Sequence, residues 1–529
     1  MTIQEIDALI VGGGFGGIRL TGLLKNQLQL AKVVAIEKGE GLGGTWYWNK
    51  YPGAQSDSES WVYGFSDDVD TPQPTTRYLY ADDVQRQLIT TAKNTNVLDN
   101  YLFENQVVSA HYDTTSSRWH ITTDKGFRFA ATYFITALGI LSKPYIPNFP
   151  GIDTFQGVSF HSAGWPKGLN TDGKRVAIIG TGPSGSQITS AIHRSVESLV
   201  VFQKRAQYIT PVENRALRDE EKDAISRDQA KIWNTVFNSL FAMGFEESNE
   251  SALNVSEARR REVYEQIWNK GGGFRFFFEA FNDLGIDFTA NETAAAFVRE
   301  KIAEIVKDPQ TASILQPTGA YGGRPLCADG YYEAFNNPNV SVVSIADNPI
   351  SRIIPTGIEL QDGTALEFDI IVFATGFDGV DGAYRDVDIR GRNGIRLSDV
   401  WQERPNALYG ISVAEFPNFF TITGPGSPFA NIPPIVEVQG DFVVRLIREL
   451  NQRGGRSIEA NRDAELKWTE LVQAVSRSTV FDKVRSWIQN NNVAGSEKFP
   501  VLFLGGLNTY TAKLEEEANI QYPSYQFLD

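Results

Sequence analysis

The sequence is poor in sulfur. One cysteine, Cys327, occurs in 529 residues. That excludes an internal disulfide, a multi-cysteine metal or iron–sulfur site and the redox pair of a disulfide reductase, and it fits a reducing compartment. The only other sulfur is on Met1 and Met243. Long apolar runs are missing too: no segment supplies the about eighteen apolar residues that a membrane-crossing helix requires. An apolar strand opening at about Ile6 leaves no room for a secretory leader, so the expected place of action is the cytoplasm. Basic charge is scarce. Lys and Arg number 49 against 64 Asp and Glu, a formal net charge of −15, which offers no clustered cations to a nucleic-acid backbone. No nucleic-acid or membrane partner and no metal is expected, and a monomer is the expected state.

What is present is core material, 42% hydrophobic and 12% aromatic, in a chain too long for one core. One pattern is used twice. An apolar strand runs into a glycine-rich turn and then a helix at Ile6 to Gly17 and again at Arg175 to Gly185, and each continues into a further apolar strand, Val33 to Glu37 and Leu199 to Lys204. The fold class expected is α/β with two Rossmann-like dinucleotide-binding domains. Two more apolar strands end in small residues, Tyr133 to Gly139 and Asp369 to Gly376, and read as points where the chain crosses between domains. The expected division is 1–140 with 376–529 for the first domain, 150–214 with 325–375 for the second, and 215–324 for a helical insertion. The insertion has charged residues at helical spacing and an aromatic run at Phe274 to Phe281 that reads as its core.

The first turn carries GxGxxG at Gly12, Gly14 and Gly17. These glycines suit a tight turn, close approach to a pyrophosphate and close helix–strand packing, with the anion on the helix N-terminus. Glu37, twenty residues on, is placed to accept hydrogen bonds from a ribose diol and would repel a 2′-phosphate. The site therefore suits FAD or NAD. The second turn, Gly180, Gly182 and Gly185, has the same spacing, but its next strand ends in Lys204 and Arg205. Cations there suit the 2′-phosphate of NADPH. Hydride transfer between a nicotinamide and a flavin follows as the natural inference.

Between the two folds, Phe155, Gly157, His161, Trp165 and Pro166 spell FxGxxxHxxxWP. Gly44, Trp46, Tyr51, Pro52, Gly53 and Asp57 spell a second pattern, GxWx4(aromatic)PGx3D. In both, the sequence resembles the type I Baeyer-Villiger monooxygenases. The runs at Gly43 to Ala54, Arg324 to Cys327, Gly330 to Asn336 and Gly424 to Pro434 look most like the cyclohexanone monooxygenase branch. The resemblance implies FAD, NADPH and O2, and a flavin peroxide that converts a cyclic ketone into a lactone or ester, with sulfoxidation as a side activity. Because the reaction develops negative charge on oxygen, a fixed cation is needed. The resemblance places it at Arg324, oriented by Asp57. It also implies cofactor contacts at Thr45, Trp46 and Trp487, a ketone pocket touching Leu141, Phe429 and Ile432, and a domain-coupling role for His161.

The chain departs from this family at Gly323, where relatives carry a lysine that contacts the 2′-phosphate, and at Arg205, where they carry Thr or Ser. Arg205 is expected to replace the lost cation. A further departure is the run Asn490 to Gly495, expected to fold over the cofactor. Two rival readings are a flavin-containing N- or S-hydroxylating monooxygenase and a flavin-dependent sensor without catalysis.

Overall fold

A computed structural model describes residues 2–529 apart from 69–72, 494 and 496. Two sheets organise the chain, each built around one glycine turn. The first sets Tyr101–Leu102, Val33–Ile36, Gln4–Val11, Arg128–Thr136 and Phe419–Thr421 side by side, all parallel. Val107–Asp113 and Arg118–Thr123 add an antiparallel meander to the first half of Arg128–Thr136, and Asp388–Arg390 lines its outer edge. The second sheet is parallel throughout, in the order Val340–Ser344, Ser198–Gln203, Arg175–Ile179, Ile370–Phe373, Val158–His161. Parallel strands covered on both faces have no solvent side, which is why these read as unbroken apolar runs. Ala8, Leu9 and Ile10 are all fully buried, as are Val176, Ala177 and Ile178. The α/β class with two Rossmann-like units is the one the glycine motifs predict.

Both crossing strands end earlier than the sequence suggests. The run expected over Tyr133 to Gly139 leaves the ladder after Thr136, and that over Asp369 to Gly376 leaves it after Phe373. The small residues that follow are the floor against which the glycine turns press. Gly12 (φ +120°) lies so close to the Ala137 carbonyl oxygen that a Cβ would stand 2.3 Å from it, and Gly180 (φ +115°) stands in the same relation to Ala374. Each turn thus rests on the point where the chain leaves its sheet.

Among the described residues, six helices, from Asp219–Arg227 to Pro309–Leu315, fill the segment between the second-sheet strands. The aromatic run is core, as expected: Phe274, Phe276, Phe277, Phe278 and Phe281 are buried. The segment's entry and exit are zipped by a two-residue parallel ladder, Ile209–Thr210 on Leu326–Cys327. This neck fixes the backbone two residues beyond Arg324. The sheets are also joined directly. The Tyr51 hydroxyl donates to Gln187 Oε1 at 3.0 Å, Gln187 Nε2 donates to the Gln55 carbonyl at 3.2 Å, and Gly53 leaves no room for a Cβ against the Gln187 carbonyl.

Candidate active site

A cavity of about 600 Å³ runs along the first glycine turn and ends beneath the crossing segments 137–144 and Phe377. Gly12, Gly14, Glu37, Thr45, Trp46, Leu141, His161 and Ile432 line it, so residues from six separate stretches of sequence meet on one surface. Both Glu37 oxygens are engaged, Oε2 by the Gly13 amide and Oε1 by the Gly39 amide, each at 2.7 Å. Burial raises this carboxyl while the two amides lower it. Held this way, it keeps lone pairs for a ribose diol. The helix Phe15–Gly22 opens on the turn, and its first N–H groups face the cavity as an anion site. An elongated slot with an N-terminal amide cradle at its centre and a carboxylate along its wall fits FAD.

The second turn is built alike. A Cβ on Gly185 would strike the Gly180 carbonyl at 2.1 Å, as one on Gly17 would strike that of Gly12 at 1.7 Å, so both glycines serve helix–strand contact. Gly182 differs. No protein atom lies within 4 Å of where its Cβ would be, at the head of the helix Pro183–Ile192. That open space over free amides is suited to a pyrophosphate. Lys204 and Arg205 stand exposed at the end of the adjoining strand, and Thr181 Oγ1 donates to the Arg205 carbonyl at 2.9 Å. These residues fit the NADP nucleotide.

Arg324 and Asp57, far apart in sequence, are paired through both guanidinium Nη groups and both carboxylate oxygens, the Nη2–Oδ1 contact being 2.9 Å and the Nη1–Oδ2 contact shorter. Bidentate pairing fixes the plane of the guanidinium as well as its position. Burial lowers the arginine, but the charge and hydrogen bonds of Asp57, with smaller contributions, together outweigh it and the group stays above its ordinary value, a permanent cation. The Phe274 ring lies beneath it, 5.3 Å from ring centre to Cζ. Cys327, three residues on, has a buried thiol pushed up to about 12, so it stays neutral and unreactive.

Tyr63 connects cavity and ion pair, and sequence reading does not find it. Its hydroxyl accepts from Trp46 Nε1 at 3.1 Å, it lines the cavity, and burial raises it above its ordinary range, with Asp57 adding to the rise. It remains a neutral O–H donor between flavin site and guanidinium. No motif marks it. Phe274 likewise reads in the sequence only as core.

The remaining expected residues are spread more widely. Phe429 is buried among Phe241, Phe274 and Phe481, with ring centres 6.0 to 6.2 Å apart, and does not line the cavity. Trp487 stands over the crossing segment, 3.6 Å from where a Gly379 Cβ would be. Gly157 packs under the Phe155 ring and against the Asp369 carbonyl, and Trp165 stacks edge-on with Phe160, 5.0 Å between centres. The Pro166 carbonyl accepts from the Leu169 amide. His161 has both nitrogens committed to backbone: Nε2 donates to the Gly376 carbonyl at 2.8 Å and Nδ1 accepts from the Ala163 amide at 3.1 Å. Burial lowers its basicity. A neutral ring saturated in this way has no free nitrogen for acid–base work; it ties the end of Val158–His161 to the residues that leave its neighbour Ile370–Phe373. Of the run Asn490 to Gly495, Ala494 lies outside the described residues.

Residues 8–216 match the family model described as flavin-binding monooxygenase-like. The chain is 39% identical over 525 residues to cyclohexanone 1,2-monooxygenase of an Acinetobacter species, covering 99% of this chain and 96% of that protein. It is 40% identical over 524 residues to phenazine N-monooxygenase of Lysobacter antibioticus, covering 98% and 97%. The crystal structure of cyclohexanone monooxygenase from Rhodococcus sp. Phi1 bound to NADP+ superposes with a TM-score of 0.98 at 42% identity over 100% of both chains. With likeness of this extent, and with paired glycine turns and an arginine cation paired to Asp57, the chain belongs to the flavin-dependent Baeyer-Villiger monooxygenase family.

Proposed function

We propose that the enzyme uses FAD and NADPH to insert one atom of O2 into a cyclic ketone, giving a lactone, or an ester from an open-chain ketone. The balance is ketone, O2, NADPH and H+ in, and lactone, water and NADP+ out. The observation that carries this reading is the Arg324–Asp57 pair beside the Tyr63 wall of the flavin cavity. When bound, the flavin and the nicotinamide supply activated oxygen and two electrons.

The chain's own residues do the rest. Gly12, Gly14, Gly17, Glu37, Thr45 and Trp46 seat the flavin; Gly180, Gly182, Gly185, Lys204, Arg205 and Trp487 seat the nicotinamide nucleotide. Arg324, kept charged and planar by Asp57, stabilises negative charge as it gathers on oxygen. A preorganised donor of this kind is worth about a hundred- to a thousandfold in rate. Leu141 and Ile432 on the cavity wall, with Phe274 under the Arg324 guanidinium, provide apolar surface for the ring, and Phe429 backs Phe274 from behind. The fingerprint residues Phe155, Gly157, His161, Trp165 and Pro166 couple the two sheets. We assign 1–140 with 376–529 to flavin binding, 150–214 with 325–375 to NADP binding, and 215–324 to the insertion, in a monomer working in the cytoplasm.

The test is FAD-loaded enzyme with NADPH, O2 and cyclohexanone, following NADPH loss and product mass. The parent makes ketone plus one oxygen. Arg324→Ala still reduces its flavin and consumes NADPH but loses about a hundredfold or more in lactone. A second reading, oxygen transfer to a soft nitrogen or sulfur, is favoured by the phenazine N-monooxygenase likeness. It takes precedence if a sulfide or heteroaromatic amine is oxidised by parent and Arg324→Ala alike while cyclohexanone is untouched.

A further inference from the structure

Arg205 does more than end a strand. Its Nη1 reaches across to donate to the main-chain carbonyl of Arg485 at 2.7 Å, a residue 280 positions later in the chain. The two arginines thereby stand together, close enough that the Arg485 charge, after burial, depresses the Arg205 guanidinium. Arg485 commits its own Nε to the Asn491 carbonyl at 2.5 Å. No carboxylate among the described residues pairs with Arg205, Arg485 or Lys204. In a chain with 64 acids and 49 bases, Arg205 and Arg485 side by side, with Lys204 next in sequence, make a locally cationic surface. Like charges held side by side cost free energy that a dianion between them recovers, and guanidinium forks match phosphate oxygens in pairs.

We propose that Arg485 is a cation of the 2′-phosphate subsite, acting with Arg205 and Lys204, and that the phosphate thereby fastens the segment 485–492 over the second nucleotide site. The proposal rests on reading the Gly180–Gly185 turn as the NADP site. Geometry gives the segment its leverage. Arg485 is two residues before Trp487. The Ser486 amide donates to Asn491 Oδ1 at 2.7 Å, closing 485–491 into one compact loop. Asn492 Nδ2 donates to the Phe377 carbonyl at 2.9 Å, which anchors the loop's far end to the crossing segment. A phosphate gripped by Arg485 at the near end would pin the loop at both ends, so the charge that separates NADP(H) from NAD(H) would also decide whether Trp487 is held in place.

The experiment uses FAD-loaded full-length enzyme and two probes without a nicotinamide, 2′,5′-ADP and 5′-ADP, titrated by calorimetry. The parent prefers 2′,5′-ADP. Arg485→Ala loses about tenfold or more of that affinity, the worth of one charged phosphate contact, while 5′-ADP binding is unchanged and Arg485→Lys recovers part of it. In hydrogen exchange, 2′,5′-ADP slows the amides of 485–492 in the parent, and 5′-ADP does not. The proposal is overturned if Arg485→Ala binds 2′,5′-ADP as the parent does, or if both probes weaken equally. If the parent itself shows no preference between the probes, the NADP reading of the second turn fails first.

Discussion

At the scale of single residues, the two glycine turns separate two uses of the same amino acid. Gly17 is glycine because the first turn's own carbonyl occupies the space a Cβ would need. Gly182 is glycine though the protein leaves that space empty. The expected outcomes differ accordingly. Gly17→Ala forces helix and strand apart and yields protein that retains little FAD, read from the flavin absorbance of the purified enzyme. Gly182→Ala folds with full flavin, since nothing meets the added methyl. It binds NADP+ weakly, because the methyl enters the space assigned to the pyrophosphate. Unchanged NADP+ affinity in Gly182→Ala would remove the nucleotide from that turn.

At the scale of elements, buried charge ties segments that no ladder joins. Glu59, two residues from Asp57, accepts from Arg77 and from Arg275 at 2.6 to 3.1 Å, and all three are buried. Arg275 adjoins Phe274 on the helix Gly273–Phe278, so this network sets the ring on which the Arg324 guanidinium lies. The long helix Ile432–Arg453 carries another such tie, with Glu437 accepting from the Ser66 amide at 2.8 Å and from its hydroxyl at 2.6 Å. Burial pushes the Glu437 carboxyl up to about 7. A folded-state value above the unfolded one means that the folded protein binds the extra proton between roughly pH 4.5 and 7. Stability from this group is therefore present at low pH and lost as pH rises through that window. Glu437→Gln should leave the melting temperature unchanged at pH 5 and raise it by roughly a degree or more at pH 8. A lower melting temperature at pH 8 would mean that the ionised carboxylate is needed for its Ser66 bonds.

At the scale of the whole molecule, two nucleotide units are joined through Tyr51, Gly53 and Gln187. A ligand that binds only the folded arrangement stabilises it by mass action, by about 2.7 kcal/mol at a hundredfold excess over Kd. NADP+ is therefore expected to raise the melting temperature of the FAD-loaded enzyme, and NAD+ at the same concentration to raise it less, as measured by calorimetric scans. An equal rise with both would show that the 2′-phosphate adds nothing to recognition by the intact protein.

Much of this architecture is legible in the order of the residues. A glycine turn is a local constraint, written in a few adjacent residues, and the charge that follows it one strand later names the nucleotide it suits. The sequence by itself therefore determined the two Rossmann-like units, their order, the helical segment inserted in the second and the family fingerprints. The strand ends at Thr136 and Phe373 are not legible, because the small and apolar residues just beyond them carry no break signal before Gly139 and Gly376; only the turn pressing on Ala137 and Ala374 shows why they leave the ladder. Family likeness supplies Arg324 and Asp57 as partners, but the Phe274 ring, the Tyr63 hydroxyl and the meeting of Arg205 with Arg485 carry no motif. These contacts join side chains tens to hundreds of residues apart. Their geometry depends on how the neck at Ile209–Thr210 and Leu326–Cys327 closes and how the sheets are clamped, which only the tertiary structure decided.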